Sequence, residues 1–393
     1  MSLCSPVHPI SETILFLARS LDRGGAERQL IVLAKGLAHR GHGVAVAVFL
    51  GGGVYETELA EAGVRVINLV KQGRWDILPF LNRLLRLLRK ERPAVMHSYL
   101  GVPNILATAL KPLLPGTRII WGLRASNVDL SRYDWLSRLA YALERRLARF
   151  ADLIIANSHA GKRHAVANGF PENKIVVIPN GIDTEYFRFD PEGRRQLRSA
   201  WGLGEDEILV GLVARLDPMK DHPTFLEAAS RIARERRDVR FVCVGDGPVG
   251  YAEALKQQAA ALGLTKQLIW AGSRDNMPAV YSALDLSSSS SSFGEGFSNT
   301  IAESMACGVP CVVTDVGDAK RIVGSTEYVV APGNPPALVS AWQQVLDAGV
   351  VEKASRSQRA RERVIEHFSL DRLIEETARA LESAGKTGAQ RLI

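Results

Sequence analysis

Glu295 and Glu303 stand with seven residues between them in the segment Phe293-Gly-Glu-Gly-Phe-Ser-Asn-Thr-Ile-Ala-Glu-Ser-Met-Ala-Cys-Gly-Val-Pro310. Ser298 is a residue type that opens helices. Ile301, Ala302 and Met305 form an apolar stripe at helical spacing, and Gly308 followed by Pro310 ends it. The spacing puts Glu295 in a loop ahead of a helix and Glu303 in its second turn. The first N–H groups of that helix, on Asn299, Thr300 and Ile301, carry the positive end of its dipole and suit a phosphate group. Carboxylates flanking such a site suit hydroxyls, and a nucleoside diphosphate sugar offers both kinds of group. A glycine-rich turn before an ordinary helix with solvated glutamates reads the same stretch equally well when it is taken alone.

Other stretches carry compatible chemistry. Val213-Ala-Arg-Leu-Asp-Pro-Met-Lys-Asp221 places Arg215 and Lys220 just after an apolar run. Two cations there can neutralise a departing diphosphate without a metal. Val242-Cys-Val-Gly-Asp-Gly-Pro248 is a strand followed by a glycine turn, in which Gly245 would let a ligand approach the backbone; a plain strand–helix turn has the same residues. Arg23-Gly-Gly-Ala-Glu27, after the first apolar run, has the same two readings.

These segments need elements to hold them. Short apolar runs alternate with helical periodicity from Ile14 onward: Ile14–Leu17, Val44–Leu50, Val64–Val70, Val95–His97, Arg118–Trp121, Leu153–Ala156 and Ile175–Ile178 read as strands, with helices over 78–90, 103–110 and 135–150. Such alternation means a parallel, doubly wound sheet. Residues 189–204 are polar, arginine-rich and punctuated by Pro and Gly, and read as a linker. Strands then resume at Ile208–Val213, Val239–Val244, Leu268–Ala271, Leu284–Ser287 and Pro310–Thr314, giving a second such sheet. The six serines at 287–292 continue a strand into the Glu295 loop, where parallel strands meet ligands. Residues 369–384 read as one amphipathic helix, and 385–393 as a frayed end.

The 393 residues suit two to three domains, and 46% hydrophobic with 23% charged residues is the composition of a globular protein. Cys4, Cys243, Cys307 and Cys311 match no zinc spacing, so no metal is implied, and so few cysteines suit a reducing compartment. Met1 to Ile10 lacks the features of a signal peptide, and no run of roughly 18 apolar residues is present to span a bilayer. The net charge of +7 is uneven: residues 1–190 hold 25 Lys and Arg against 16 Asp and Glu, the remainder 24 against 26. The first half therefore suits an anionic partner. Arg83, Arg86, Arg89 and Lys90 alternate with leucines, and Arg138, Arg145, Arg146 and Arg149 mark a second basic helix. Either helix could lie on an anionic membrane or face its leucines into the core.

Gly-Gly-Ala-Glu at 24–27, Ile178-Pro-Asn-Gly-Ile-Asp183, Arg215 with Lys220 and the Glu295-x7-Glu303 motif, in this order over roughly residues 12–384, together resemble glycosyltransferase family 4. The resemblance implies an α/β GT-B fold. That is two facing Rossmann-like domains, 1–190 binding the acceptor and 191–365 the nucleotide sugar, with 366–393 crossing back onto the first. Hinges are then expected near 185–205 and 366–372. The resemblance puts Glu295 at the donor sugar, Glu303 at the ribose, Arg215 and Lys220 at the diphosphate, Arg274 near the base and Gly25 near the phosphates or acceptor. Phe297, Ser298, Asn299, Thr300 and Gly245 complete the donor contacts. Family members often carry a histidine after a middle strand of the first domain; here the stretch reads Trp121-Gly-Leu-Arg-Ala-Ser-Asn127, with Arg124 in that neighbourhood and His97 on the preceding strand as candidates for sugar or acceptor contact.

The expectation is a retaining, metal-independent hexosyltransferase with no cofactor, using a UDP- or GDP-sugar on a glycan or lipid-linked acceptor for cell-surface polysaccharide or glycolipid. It would be cytoplasmic, with peripheral contact at the inner face of the cell membrane. A catalytically silent nucleotide-sugar binder stays open beside it. A dinucleotide-dependent oxidoreductase would need G-x-G-x-x-G after the first strand, where Arg23-Gly-Gly-Ala stands instead. Binding to nucleic acid would rest on charge alone.

Overall fold

A computed structural model describes residues 13–22, 24–73, 75–124, 135–204 and 206–389. Arg23, residues 125–127, the N-terminal stretch 1–10 with Cys4, and 390–393 of the tail lie outside the described residues. The chain forms two compact units: residues 1–181 with 370–393, and 182–369.

Unit 1 is a seven-stranded parallel sheet. Its strands are β1 (Thr13–Ala18), β2 (Gly43–Val48), β3 (Arg65–Asn68), β4 (Val95–Tyr99), β5 (Arg118–Leu123), β6 (Leu153–Ala156) and β7 (Ile175–Val177), in the order β3-β2-β1-β4-β5-β6-β7. Strands with both faces covered are apolar throughout, and β1 shows why. Ile14 and Phe16 pack on one side with Leu30, Ile31 and Leu37 of the helix Gly25–His39, while Leu15 and Leu17 pack on the other with Leu84, Leu88 and Trp121. The C-terminal helix Leu370–Ala389 adds Leu373, Ile374, Ala378 and Leu381 to the first side. It comes so close to the helix Gly25–His39 that a Cβ on Gly36 would lie 2.1 Å from Ile374 Cδ1.

Unit 2 is a six-stranded parallel sheet of β8 (Ile208–Val213), β9 (Val239–Val244), β10 (Leu268–Gly272), β11 (Leu286–Ser289), β12 (Cys311–Thr314) and β13 (Val329–Val330), in the order β10-β9-β8-β11-β12-β13. The helix His222–Glu235 buries Phe225, Leu226, Ala229 and Ile232 beside Trp342, whose Nε1 donates to Ser288 Oγ at 3.1 Å. Filling a core with aromatic rings of this size is worth about 2–3 kcal/mol each.

The division between units falls at 181/182 and 369/370, not at 190/191 and 365/366. Residues 191–200 are no linker. Asp190 caps a helix, Pro191–Ala200, by accepting from Gly193 N–H at 2.9 Å. Arg194 and Arg198, one turn apart, both reach Asp285 at 2.7 and 3.1 Å. The arginines that made this stretch look solvated are what fasten it to unit 2.

Candidate functional site

In unit 2 the first strand of the sheet, β8, has β9 on one side and β11 on the other, so the chain reverses its direction of winding there. Ligands of open α/β sheets bind at the carboxyl ends of strands at such a point. The segments after β8 and β11 meet at this place. Lys220 forms an ion pair with Glu295, their side chains only 15% and 10% exposed. Ser291 Oγ donates to the same Glu295 oxygen, Oε1, at 2.8 Å.

The serine run builds this contact. Ser290 Oγ donates to the carbonyls of Lys220 and Asp221 at 2.9 and 3.0 Å, and Ser292 N–H to that of Met219 at 2.9 Å. Gly294 has φ +77°, and a Cβ there would lie 2.6 Å from Met219 Sδ. Asp221 adopts the left-handed conformation at φ +47°, a strained choice for a non-glycine residue, and caps the next helix by accepting from Thr224 N–H. His222, which follows it, is fully buried. Burial first and Lys220 second push its imidazole down to about 4.

Glu303 lies on the helix Asn299–Ala306 and accepts from the hydroxyl of Tyr281 at 2.7 Å. Tyr281 is fully buried. Its phenol is pushed well above its usual range by burial and by the Glu303 carboxylate. Ser298 occupies the N-cap position but caps nothing: its hydroxyl meets that of Thr300 at 3.3 Å. The first N–H groups of this helix carry the positive end of its dipole, to which the Ser298 hydroxyl makes no capping bond. The ring of Phe297 is 7% exposed and packs edge-on to Phe368, 5.2 Å between centroids, so a ligand could meet its main chain and not its ring.

Gly245 is required where it stands: at φ +140°, a Cβ would lie 2.1 Å from the carbonyl oxygen of Ala214. Its N–H donates to Gly272 O, which ties the turn after β9 to the turn that carries Arg274. Arg215 and Arg274 are exposed at the ends of β8 and β10.

Unit 1 gathers a smaller cluster at the carboxyl ends of its strands. Arg124, just past β5, donates through Nη2 to Tyr99 Oη at 2.8 Å and through Nη1 to Asn180 Oδ1 at 3.2 Å, its guanidinium 4.7 Å from the Tyr99 ring centre. His97 requires a correction. It lies within β4, 0% exposed, its ring 5.3 Å from that of Phe16 and 4.8 Å from that of Tyr99, so it offers a ligand no surface. Burial, reinforced by Arg124, holds its pKa well below the usual imidazole value. Gly25 opens the first helix of unit 1, and the Glu27 carboxylate lies against Gly24 before it.

The two basic helices differ. In Leu78–Glu91, Phe80, Leu84 and Leu88 face the core, and Arg83 is engaged with the carbonyls of Leu69 and Val70 and with Asp76. The membrane reading of that helix is corrected accordingly. In Trp135–Leu147, by contrast, Trp135, Leu136, Leu139 and Leu143 are exposed beside Arg138, Arg145 and Arg146.

A cavity of about 770 Å³ in unit 2 lies at the opposite ends of the strands, lined by Ile208, Leu284 and Pro310 among others. It contains none of the candidate site residues, and Arg194 and Asp285 on its wall already satisfy each other. Supports not read from the sequence include Tyr281, Ser291 and Gly317. A Cβ on Gly317 would lie 2.5 Å from the Glu295 carbonyl oxygen, so the turn after β12 buttresses the Glu295 loop. The serine run was the only visible signal for any of these.

Two family models match the chain in succession: Glycosyltransferase Family 4 over residues 23–186 and Glycosyl transferases group 1 over 207–348. The N-acetyl-alpha-D-glucosaminyl L-malate synthase of Bacillus anthracis is 24% identical over 87% of this chain and 89% of its own length. A GDP-mannose-dependent alpha-(1-6)-phosphatidylinositol monomannoside mannosyltransferase of Mycolicibacterium smegmatis is 27% identical over 74% and 77%. Among solved structures, HepE of Anabaena in complex with UDP superposes with a TM-score of 0.83 at 25% identity, over 94% of this chain and all of that one.

Proposed function

The chain is a family 4 glycosyltransferase of the GT-B fold, and from that premise we propose that it transfers one sugar, with retention of anomeric configuration and without a metal, from a UDP- or GDP-sugar to a glycan or lipid-linked acceptor. The products belong to polysaccharide or glycolipid biosynthesis. The observation that carries the reading is the convergence, within unit 2, of Lys220, Glu295 and Ser291 beside the start of the helix Asn299–Ala306 and a Glu303 fixed by Tyr281. The relatives support the choice of donors: HepE is a UDP complex, and the mycobacterial enzyme is named for GDP-mannose.

Each group has a task. Glu303 accepts hydrogen bonds from the ribose hydroxyls. Lys220, Arg215 and the first turn of the helix Asn299–Ala306 take the diphosphate, and they hold it more strongly as the anomeric C–O bond breaks and charge gathers on the leaving oxygen. Glu295 meets the sugar hydroxyls, Arg274 the base, and the backbone at Gly245 approaches the donor. The acceptor oxygen attacks from the face the diphosphate leaves. Its proton passes to a donor phosphate oxygen, so no protein base is needed. Lys220 and Ser291 both converge on Oε1 of Glu295, which suits a carboxylate held as a hydrogen-bonding anchor better than a covalent nucleophile.

Unit 1 receives the acceptor, with Arg124 as its contact and Gly25 near the donor phosphates or the acceptor. Among the described residues no helix is long and apolar enough to cross a membrane. The exposed Trp135, Leu139 and Leu143 beside arginines suit a peripheral contact with the inner face of the cell membrane. A panel of UDP- and GDP-sugars tests the donor reading: one of them should raise the melting temperature, and stabilisation by none would reject it.

A further inference from the structure

We propose that Arg124 is an anion-recognition residue, and that the acceptor taken by unit 1 carries a carboxylate or phosphate which this guanidinium holds. The proposal rests on the reading above that unit 1 receives the acceptor. Arg124 follows β5 at the carboxyl ends of the strands, the edge at which open α/β sheets bind ligands.

Its surroundings fix the guanidinium plane without neutralising it. The Tyr99 hydroxyl and the Asn180 amide oxygen each take one N–H, and the Tyr99 ring lies 4.7 Å from the guanidinium carbon. Both partners are uncharged. Among the described residues no carboxylate pairs with Arg124, and its buried Nε has no hydrogen-bond partner. The half-buried Arg194 and Arg240 of unit 2, by comparison, bond Asp285 and Glu207. A guanidinium offers five N–H donors in a rigid fork that matches a carboxylate or phosphate with two parallel bonds, so a positioned fork with donors to spare is fitted to such a group.

The frame behind it is rigid. Tyr99 is 2% exposed. Asn180 precedes Gly181, whose N–H and C=O are both bonded at 3.0 Å by the side chain of Gln29, itself buried. His97, behind Tyr99, is kept neutral by burial and by Arg124, so it adds no second positive charge. A single oriented cation on neutral supports selects for one anionic substituent.

The test is a calorimetric titration of the full chain, with and without UDP, using three probes that share one ring: glucose, glucuronate and glucose 6-phosphate. At least one anionic probe should bind about tenfold or more tightly than glucose. That preference should fall to within twofold in Arg124→Met and survive only in part in Arg124→Lys. UDP affinity should stay unchanged in both, and a thermal melt that matches the natural protein reports that unit 1 still folds in the variants. Equal binding of charged and neutral probes to the natural protein, or a preference that persists in Arg124→Met, would overturn the proposal. A parallel comparison of UDP-glucuronate with UDP-glucose locates the anion. A carboxylate preference seen only there would assign it to the transferred sugar and overturn the acceptor assignment. Should neither UDP nor GDP bind, the donor reading falls, while the anion titration on the free chain still decides the role of Arg124.

Discussion

If Lys220 is to hold a donor diphosphate, it must first leave Glu295, and Glu295→Gln measures what that release costs. The two side chains are 15% and 10% exposed, so water screens them poorly. At an effective dielectric of about 20, opposite charges some 4 Å apart attract by about 4 kcal/mol. Part of this is offset by the cost of holding both groups out of water, leaving a net coupling of about 1–2 kcal/mol. Without the carboxylate, Lys220 has no pair to break, and Ser291 can still bond the amide. Calorimetry should therefore show UDP binding Glu295→Gln roughly tenfold more tightly than the natural protein. Turnover should fall by about a hundredfold or more as the sugar contact is lost. Lys220→Ala should weaken UDP by roughly tenfold, and adding Glu295→Gln to it should recover less than threefold, because the double variant has no pair to release. Unchanged UDP affinity in Glu295→Gln would refute the assignment of Lys220 to the diphosphate. An undiminished gain in the Lys220→Ala background would trace the effect to distant repulsion and refute the pair-breaking argument.

Removing the hydroxyl in Tyr281→Phe deletes one charge-assisted bond to Glu303, about 1.5–3 kcal/mol, and should raise the donor KM about tenfold or more with kcat nearly kept; an equal fall in kcat would place Tyr281 in the chemical step. His222 gains its proton near 6.5 when unfolded and only at about 4 when folded, so its contribution to stability is present above 6.5 and is lost as pH falls toward 4, on the order of 3 kcal/mol. Urea titrations between pH 7 and 4 should show that loss shrink in His222→Gln. Gly245→Ala forces a Cβ against the Ala214 carbonyl and should cost on the order of 3 kcal/mol in the same assay, with UDP binding weakened even where the protein stays folded. Flotation with anionic vesicles at low salt should recover the protein, and Leu139→Glu with Leu143→Glu should abolish recovery; retention by that double variant would reject the exposed helix as the contact.

What could be read in advance follows from what a one-dimensional pattern contains. Apolar runs such as Ile14–Leu17 and Ile208–Val213 announced strands because both faces of a parallel sheet are buried. The Glu295 loop and the helix after it were visible because glycine, serine and an apolar stripe are local signals. Pairings across the sheet were not. Lys220 and Glu295 meet because β8 and β11 are neighbours, and Tyr281 reaches Glu303 from a different helix; no spacing encodes either contact. The helix Pro191–Ala200 was read as a linker because its anchors are arginines, whose partner Asp285 lies some ninety residues away. His97 sat at the end of an apparent strand, and only the rings of Phe16 and Tyr99 show that it is sealed inside. Serines 287–292 read as a strand continuing into the Glu295 loop, but that their hydroxyls bond Trp342, the Lys220 turn and Glu295 is written in no spacing.

The central claim is retaining transfer from a nucleotide sugar, and proton NMR of the donor panel tests it most directly. The chain is incubated with α-linked UDP- and GDP-sugars, water taking the place of the acceptor so that the sugar is released by slow hydrolysis, and the spectrum is followed from the first minutes. The mechanism proposed above requires that one donor be consumed, that its nucleoside diphosphate appear, and that the first new sugar signal be the α-anomer. A β-anomer appearing first would contradict retention, and a panel left intact with no donor bound would contradict the assignment of the unit 2 site.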